Sequence, residues 1–225
     1  MDYTRWSFLC ETDEQFVVYP DGCRDLLIID HPDGHREFRV SNLDLHPRIV
    51  ALKAGMKVTG YRMKPGVVVR AQALDLHDRS EPSVQLQINE MVQHSNEITE
   101  AVEMLSSSDH TVSQAARRAG VSTRTLQRRF KTLELPHPDF WRLLGRARRA
   151  AIALVCSAAE PGHAACAHIA LESGFSDQAH LTRECQRWFR HSPEKLRKNS
   201  QLAEQLTEPG LGNWTTTWLP ESKSQ

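Results

Sequence analysis

Two stretches decide how this chain folds: TVSQAARRAGVSTRTLQRRF at 111–130 and HIALESGFSDQAHLTRECQRWF at 168–189. Their glycines, Gly120 and Gly174, stand 54 positions apart, and the residues around them follow one plan. A short helix carrying small residues (Ala115-Ala116, Ile169-Ala170) leads into the Gly. A hydrophobe follows (Val121, Phe175), then Ser122 or Ser176-Asp177, then a second helix containing Leu-x-Arg (Leu126-Gln127-Arg128, Leu181-Thr182-Arg183). Each part has a physical reason. Helices that cross closely need small residues at the crossing, and Gly accepts the positive φ just past a helix end. The hydrophobe plugs the gap between the helices, and Ser or Asp caps the second one by accepting backbone N–H groups. Leu126 and Phe130, four apart, share the buried face, which leaves Arg124, Gln127 and Arg128 pointing elsewhere. One copy would be a common helical hairpin. Two copies with the same step make a repeated helix-turn-helix, and an exposed helix face carrying Arg and Gln suits base edges in a major groove.

Working outward, DFWRLLGRARRAAIALVC (139–156) reads as a linking helix between the copies, with Phe140, Leu144, Ala147, Ala151 and Leu154 at helical spacing. Arg142, Arg146, Arg148 and Arg149 surround that stripe as a solvated face with some reach to phosphates. Upstream, Val84, Ile88, Met91, Ser95, Ile98, Val102 and Leu105 are spaced 4, 3, 4, 3, 4, 3. This heptad register fits either a dimer seam or a helix anchored to a core. Before residue 83 the period changes. FVVYP (16–20), DLLIID (25–30), REFRV (36–40), RIVALK (48–53) and KVTGYRM (57–63) are short apolar or alternating runs separated by Pro-Asp-Gly, Ala-Gly and Pro-Gly turns. They predict a small antiparallel sheet or barrel. After Asn199 the chain is polar, with one alternating piece, Trp214–Leu219, that fits an edge strand or a loose tail.

The formal net charge is zero, yet residues 111–199 hold 16 Lys and Arg against 7 Asp and Glu, so the segment carries +9 and the remainder −9. Segregation on this scale suits a polyanion-binding module beside an acidic partner domain. Hydrophobic content of 40% and charged content of 25% are those of a globular protein. No apolar run reaches the ~20 residues of a membrane span, and the N-terminus lacks the layout of a secretory signal. Five irregularly spaced cysteines form no disulfide framework and fit a reducing cytoplasm. Cys156 and Cys166, in alanine-rich helix, read as buried and inert.

On these residues the segment 98–199 resembles the DNA-binding domain of the AraC/XylS family of bacterial transcriptional regulators. The second-unit pattern, Ile169-Ala170-x3-Gly174-Phe175-Ser176-Asp177-x3-Leu181-x-Arg183, followed by His191-Ser192-Pro193-x3-Leu196-Arg197, carries the likeness. Cys185 departs from it, standing where the family usually has phenylalanine. The resemblance implies two recognition helices entering successive major-groove segments, with Arg124, Gln127 and Arg128 of the first and Gln178, His180, Thr182 and Arg183 of the second towards bases or phosphates. Tyr19-Pro20-Asp21-Gly22-Cys23-x-Asp25-Leu26 and Gly60-Tyr61-x3-Pro65-Gly66 are similar, more faintly, to a compact β domain found ahead of this module, which in the family senses a small molecule or dimerises.

The expected fold class is therefore α+β: a small antiparallel β domain (1–82), a linker helix (83–97), an all-α DNA-binding domain of two helix-turn-helix units joined by a long helix (98–199), and a tail (200–225). The expected function is non-enzymatic, sequence-specific regulation of transcription, with an operator as partner and no cofactor. RNA polymerase, a small-molecule effector and a second copy stay open as further partners. Rival chemistries are thin. His31, His35, His46 and His77, with Asp33 and Glu37, lack the close His-x-His spacing of a metal-binding barrel. Cys23 in Pro-Asp-Gly-Cys offers an alternative, a redox- or alkyl-reactive domain, but without partner cysteines for zinc. The charge split makes the first prediction. Affinity for DNA, followed by fluorescence anisotropy, should fall at least about tenfold between roughly 50 and 200 mM salt, and a change under about threefold would remove the electrostatic reading.

Overall fold

The computed structural model describes residues 3–69, 81–93, 95–107, 110–157 and 163–214. Seven strands come first: β1 (Tyr3–Leu9), β2 (Glu14–Val18), β3 (Arg24–Asp30), β4 (Arg36–Val40), β5 (Arg48–Leu52), β6 (Lys57–Met63) and β7 (Val68–Val69). Four make an antiparallel sheet in the order β1-β6-β3-β4, while β2 pairs with β5. In β3 successive side chains alternate between the sheet's two faces, yet both faces are covered. Leu26 and Ile28 join one cluster with Tyr61 and Met63; Leu27 and Ile29 join another with Cys10, Leu52, Met56 and Val58. That is why DLLIID is apolar throughout rather than alternating.

The strand at the N-terminus was not foreseen. β1 lies along β6 with Trp6 opposite Gly60. A Cβ at position 60 would overlap the indole, so this glycine is required by Trp6, whose Nε1 donates to Asp25 Oδ1 at 2.8 Å.

The heptad register at 84–105 is not one helix. α1 (Glu81–Met91) stops at a two-residue strand, β8 (Val92–Gln93), which pairs with β7, and α2 (Asn96–Ser107) starts afresh. Its first half does not form a dimer seam. Val84, Ile88 and Met91 are 0–4% exposed, and Val84 and Ile88 pack on the sheet with Leu26 and Tyr61. Ile98, Ala101, Val102 and Leu105 enter the helical core instead.

That core is built from α2, α3 (Val112–Arg118), α4 (Thr123–Thr132), α5 (Pro138–Cys156), α6 (His163–Glu172), α7 (Gln178–Phe189), α8 (Pro193–Arg197) and α9 (Ser200–Thr207). The 19-residue α5 runs through its middle, packing against α2, α3, α4, α6, α7, α8 and α9. Leu144, Ala147, Ala151 and Leu154 are buried as the spacing required, with Phe140 partly so. Arg148 is not part of a solvated face: it is 1% exposed. Its Nε donates to the Leu211 carbonyl at 3.0 Å, its Nη1 to the Pro20 carbonyl at 3.5 Å and its Nη2 to Asn213 Oδ1 at 3.4 Å.

Around Arg148 the β domain, α5 and the segment after α9 meet. The Leu211 N–H donates to the Asp21 carbonyl at 2.7 Å. Arg62, on β6, bridges Asp21, Asp25 and Glu208 at 3.4, 3.3 and 2.7 Å. The Gln205 side chain accepts from the Tyr19 N–H at 3.1 Å and donates to the Val17 carbonyl at 2.7 Å, so one amide closes the end of β2. Tyr19 itself, 4% exposed, belongs to the helical core. The alternating piece beginning at Trp214 lies outside the described residues from 215 on.

Removing one partner from a buried charged group typically costs about 3–5 kcal/mol, because the groups left behind are neither paired nor hydrated. Arg148→Ala should lower unfolding stability by that amount in urea titration. A loss below about 1 kcal/mol would mean that the carbonyls at 20 and 211 find other donors.

Candidate nucleic-acid interface

Both helix-turn-helix turns are built alike. At the end of α3 the Gly120 N–H reaches the Arg117 carbonyl and the Val121 N–H reaches the Ala116 carbonyl. At the end of α6 the Gly174 N–H reaches Leu171 and the Phe175 N–H reaches Ala170. This pair of i−3 and i−5 bonds satisfies the last carbonyls of a helix and turns the chain out, and it needs a left-handed residue. Gly120 (φ 67°) and Gly174 (φ 74°) supply it.

The following helices are capped by side chains. Ser122 Oγ accepts the Thr125 N–H at 3.1 Å, and Asp177 Oδ1 accepts the His180 N–H at 2.6 Å. The bond from the His180 N–H, with a weaker one from the Ser176 hydroxyl, holds the Asp177 carboxyl below its ordinary pKa, so this cap weakens only as acid protonates it. Ser176, grouped with Asp177 as a cap in the sequence, instead places its Oγ 3.2 Å from His180 Nδ1.

Aligning the two caps aligns the helices. Leu126 matches Leu181, Phe130 matches Cys185, Arg128 matches Arg183, and all four apolar members are fully buried. The cysteine at 185 fills less volume than Phe130, and burial pushes its thiol up to about 12.

The sequence-predicted residues divide on burial. Arg124, Arg128 and Arg183 are exposed, and Gln127, Gln178, His180 and Thr182 are half-buried. Thr182 Oγ1 turns back to its own helix, donating to the Gln178 carbonyl at 2.9 Å. His180 meets the Phe175 ring in a T-shape with centroids 5.2 Å apart. In α4, Arg124, Gln127, Arg128 and Lys131 line an open concavity of about 730 Å³ with Glu134, Leu135 and His137. Lys131 was not singled out from sequence, nor were the exposed Arg187 and Arg190 of the second unit. Spacings of four and seven from Arg183 could have found the latter two.

Other arginines are spoken for. Arg129 pairs with Glu97 of α2, and Arg149 donates to the Ser106 carbonyl. Arg146 donates to the Gly174 carbonyl at 3.0 Å.

The alternative at Cys23 meets the reverse of an activated environment. The residue is 4% exposed, and burial followed by the Asp21 charge drives its thiol well above the usual range. A thiolate there is disfavoured, and with it nucleophilic chemistry. Cys156, expected to be buried, is exposed, whereas Cys166 is buried. Among the described residues no group of three His, Cys, Asp or Glu side chains could hold a metal ion; His31 and Glu37 approach at 3.8 Å, and His77 lies outside those residues. Among them, too, no helix is long and apolar enough to cross a membrane.

Residues 115–199 match the helix-turn-helix domain family, and this part of the chain is a helix-turn-helix domain. Among solved structures the chain is similar to a transcriptional regulator from Chromobacterium violaceum described as AraC-type DNA-binding domain-containing. Identity is 26%, covering 51% of this chain and 96% of the other, with a TM-score of 0.39. It is also similar to ToxT from Vibrio cholerae strain SCE256, crystallised with an unsaturated fatty acid, at 10% identity over 89% of this chain and 97% of the other, TM-score 0.44. Among curated proteins none matches the chain.

The thiol environments predict an order of reactivity. Native protein treated with iodoacetamide at neutral pH should be alkylated at Cys156 and spared at Cys23, with Cys23 labelled only after denaturation. Peptide mass spectrometry that finds Cys23 modified first would restore the reactive-thiol reading.

Proposed function

We propose that this chain is a sequence-specific transcriptional regulator whose recognition helices α4 and α7 read successive major-groove segments of one operator. The observation that carries the reading is the repeat itself: two left-handed glycine turns, each followed by a side-chain-capped helix. The buried side of those helices is Leu126 and Phe130 in one and Leu181 and Cys185 in the other, while basic residues stand exposed. Such a helix needs only shallow side-chain reach to contact base edges, and the flanking basic residues supply the sequence-independent attraction to phosphates.

Arg124 and Arg128 in the first unit and Arg183 in the second are the base-reading arginines, and Gln127 and Gln178 serve adenine or backbone contacts. His180 and Thr182, partly committed to their own turn, add shorter contacts. Lys131, Arg187 and Arg190 extend the basic rows and serve phosphates.

The acidic β domain modulates this activity through its contacts with α5, by an effector or by a second copy. Support lies in the buried junction of Arg148, Asp21, Arg62 and Glu208, which leaves the β domain no independence from the helix that joins both units.

The test starts by selecting bound sequences from a random DNA pool, which should return two short conserved segments about one helical turn apart. On the operator so defined, Arg183→Ala should relax preference at one base-pair position, removing about 1–3 kcal/mol of discrimination there and leaving the others intact. Should every single-base variant lose affinity by the same factor, Arg183 is a phosphate clamp and not a reader.

A further inference from the structure

We infer that Arg146 is a positioning residue for the second recognition helix, acting through Phe175 on the orientation of the His180 ring. The inference rests on reading α7 as a base-contacting helix and adds a residue of α5 to its machinery. Arg146 reaches from α5 to both residues of the second turn. Its Nη1 donates to the Gly174 carbonyl at 3.0 Å, and its guanidinium carbon lies 4.5 Å from the centroid of the Phe175 ring. A cation over an aromatic face is attracted to it, and more so when the pair is withdrawn from water. Phe175 is 3% exposed, so the ring is seated in the core, with the half-buried Arg146 laid over it.

Phe175 in turn meets His180 at an interplanar angle of 85°. The imidazole is also held by Ser176, whose backbone N lies 3.5 Å and whose Oγ lies 3.2 Å from Nδ1, the same hydroxyl standing 3.3 Å from Asp177 Oδ2. A backbone N–H can only donate, so Nδ1 accepts, and a neutral ring carries its proton on Nε2. The nitrogen left over is therefore a donor. It suits the acceptors of a major groove: guanine N7 and O6, adenine N7 or thymine O4.

Phe175, under the Arg146 cation, thus fixes the direction of His180, and the Ser176 N–H fixes its hydrogen-bonding sign while the ring keeps that direction. The first unit has a different device at the matching place. Thr125, also three residues beyond its cap, holds its hydroxyl 2.9 Å from Ser122 Oγ. The two units thus differ here, and the second takes a cation from the linking helix.

The experiment has two arms, both on the full chain. In the first, long-range ¹H–¹⁵N NMR at alkaline pH, with His180 assigned through His180→Asn, should show the Nε2–H tautomer in the wild type. Arg146→Met, which keeps length and apolar bulk but removes every donor, should show mixed tautomers. A wild-type Nδ1–H ring, or a ring unaltered by Arg146→Met, overturns the inference.

In the second arm, affinities are measured for the selected operator and its single-base variants. Arg146→Met should cut discrimination at positions under α7 by at least about threefold while leaving those under α4 within about twofold. Equal loss under both helices, or none under α7, overturns it. Arg146→Gln, which removes the cation while keeping polar bulk, should give the same pattern and serves if the Met variant does not fold. A wild type that selects no sequence at all defeats the proposed function instead, and the NMR comparison then decides the role of Arg146 alone.

Discussion

A guanidinium withdrawn from water governs the architecture. Several kcal/mol of hydration are lost when a cation of this kind is buried, and only full use of its donors offsets the loss. Arg148 finds its acceptors on two segments far apart in the chain, the carbonyl of Pro20 and the residues Leu211 and Asn213. The turn at 19–23 and the segment after α9 must therefore lie together against α5. Their small residues follow from this. A Cβ on Gly210 would come within 2.7 Å of an Arg148 nitrogen, and one on Gly22 within 2.8 Å of the Leu211 side chain. Pro-Asp-Gly, legible as a turn, is also a docking surface.

The same junction explains where the charge segregation is used inside the molecule. The basic segment contributes Arg148, and the acidic remainder contributes Asp21, Asp25 and Glu208 around Arg62. Arg62 is held even more firmly in its charged form. Burial works against it, but Asp21 and Asp25 outweigh that cost. Asp25 is pushed the other way, its carboxyl raised by burial despite Arg62 beside it. With three acidic groups around two buried cations, the junction is held by attraction in a medium that screens little. The outer +9 surface is left to attract polyanions through solvent.

Legibility followed the range of the interactions. Each helix-turn-helix signal lies within about five residues of its partner, as a Gly, a cap or an i,i+4 pair, so both units could be read directly. Five strands were legible from alternation and turns. β1 was not, because its inward Trp6 is answered by the missing side chain of Gly60, more than fifty positions on. The register at 84–105 misled for another reason. Steps of four and three run on across the break between Met91 and Asn96, where Val92 and Gln93 are strand, and Ser95 was the one polar hint. Arg148 was visible in principle: it falls four after Leu144 and three before Ala151, on the apolar face. Its residue type argues for solvent and its position for the core, and the position prevails because carbonyls on two segments accept from it.

The placement of α5 has a consequence for how the halves of the molecule can influence one another. It touches α3 and α4 of the first unit, α6 and α7 of the second, and, through Arg148, the turn that ends β2. A ligand shifts an equilibrium only by the difference in its affinity for two states. A state with Arg148 unpaired is costly, so small displacements of the 19–23 turn are resisted and large ones require a new set of acceptors. Any coupling carried by this junction would be stepwise rather than graded, since a packed interface around a buried charge has few alternative arrangements. The sites where such a step would be felt are unequal. In the first unit α4 is tied to α2 by Arg129 and Glu97, whereas the second takes its tie from α5 itself at Arg146. A movement of α5 reaches both units through packing, and the second turn also through the Arg146 bond to the Gly174 carbonyl.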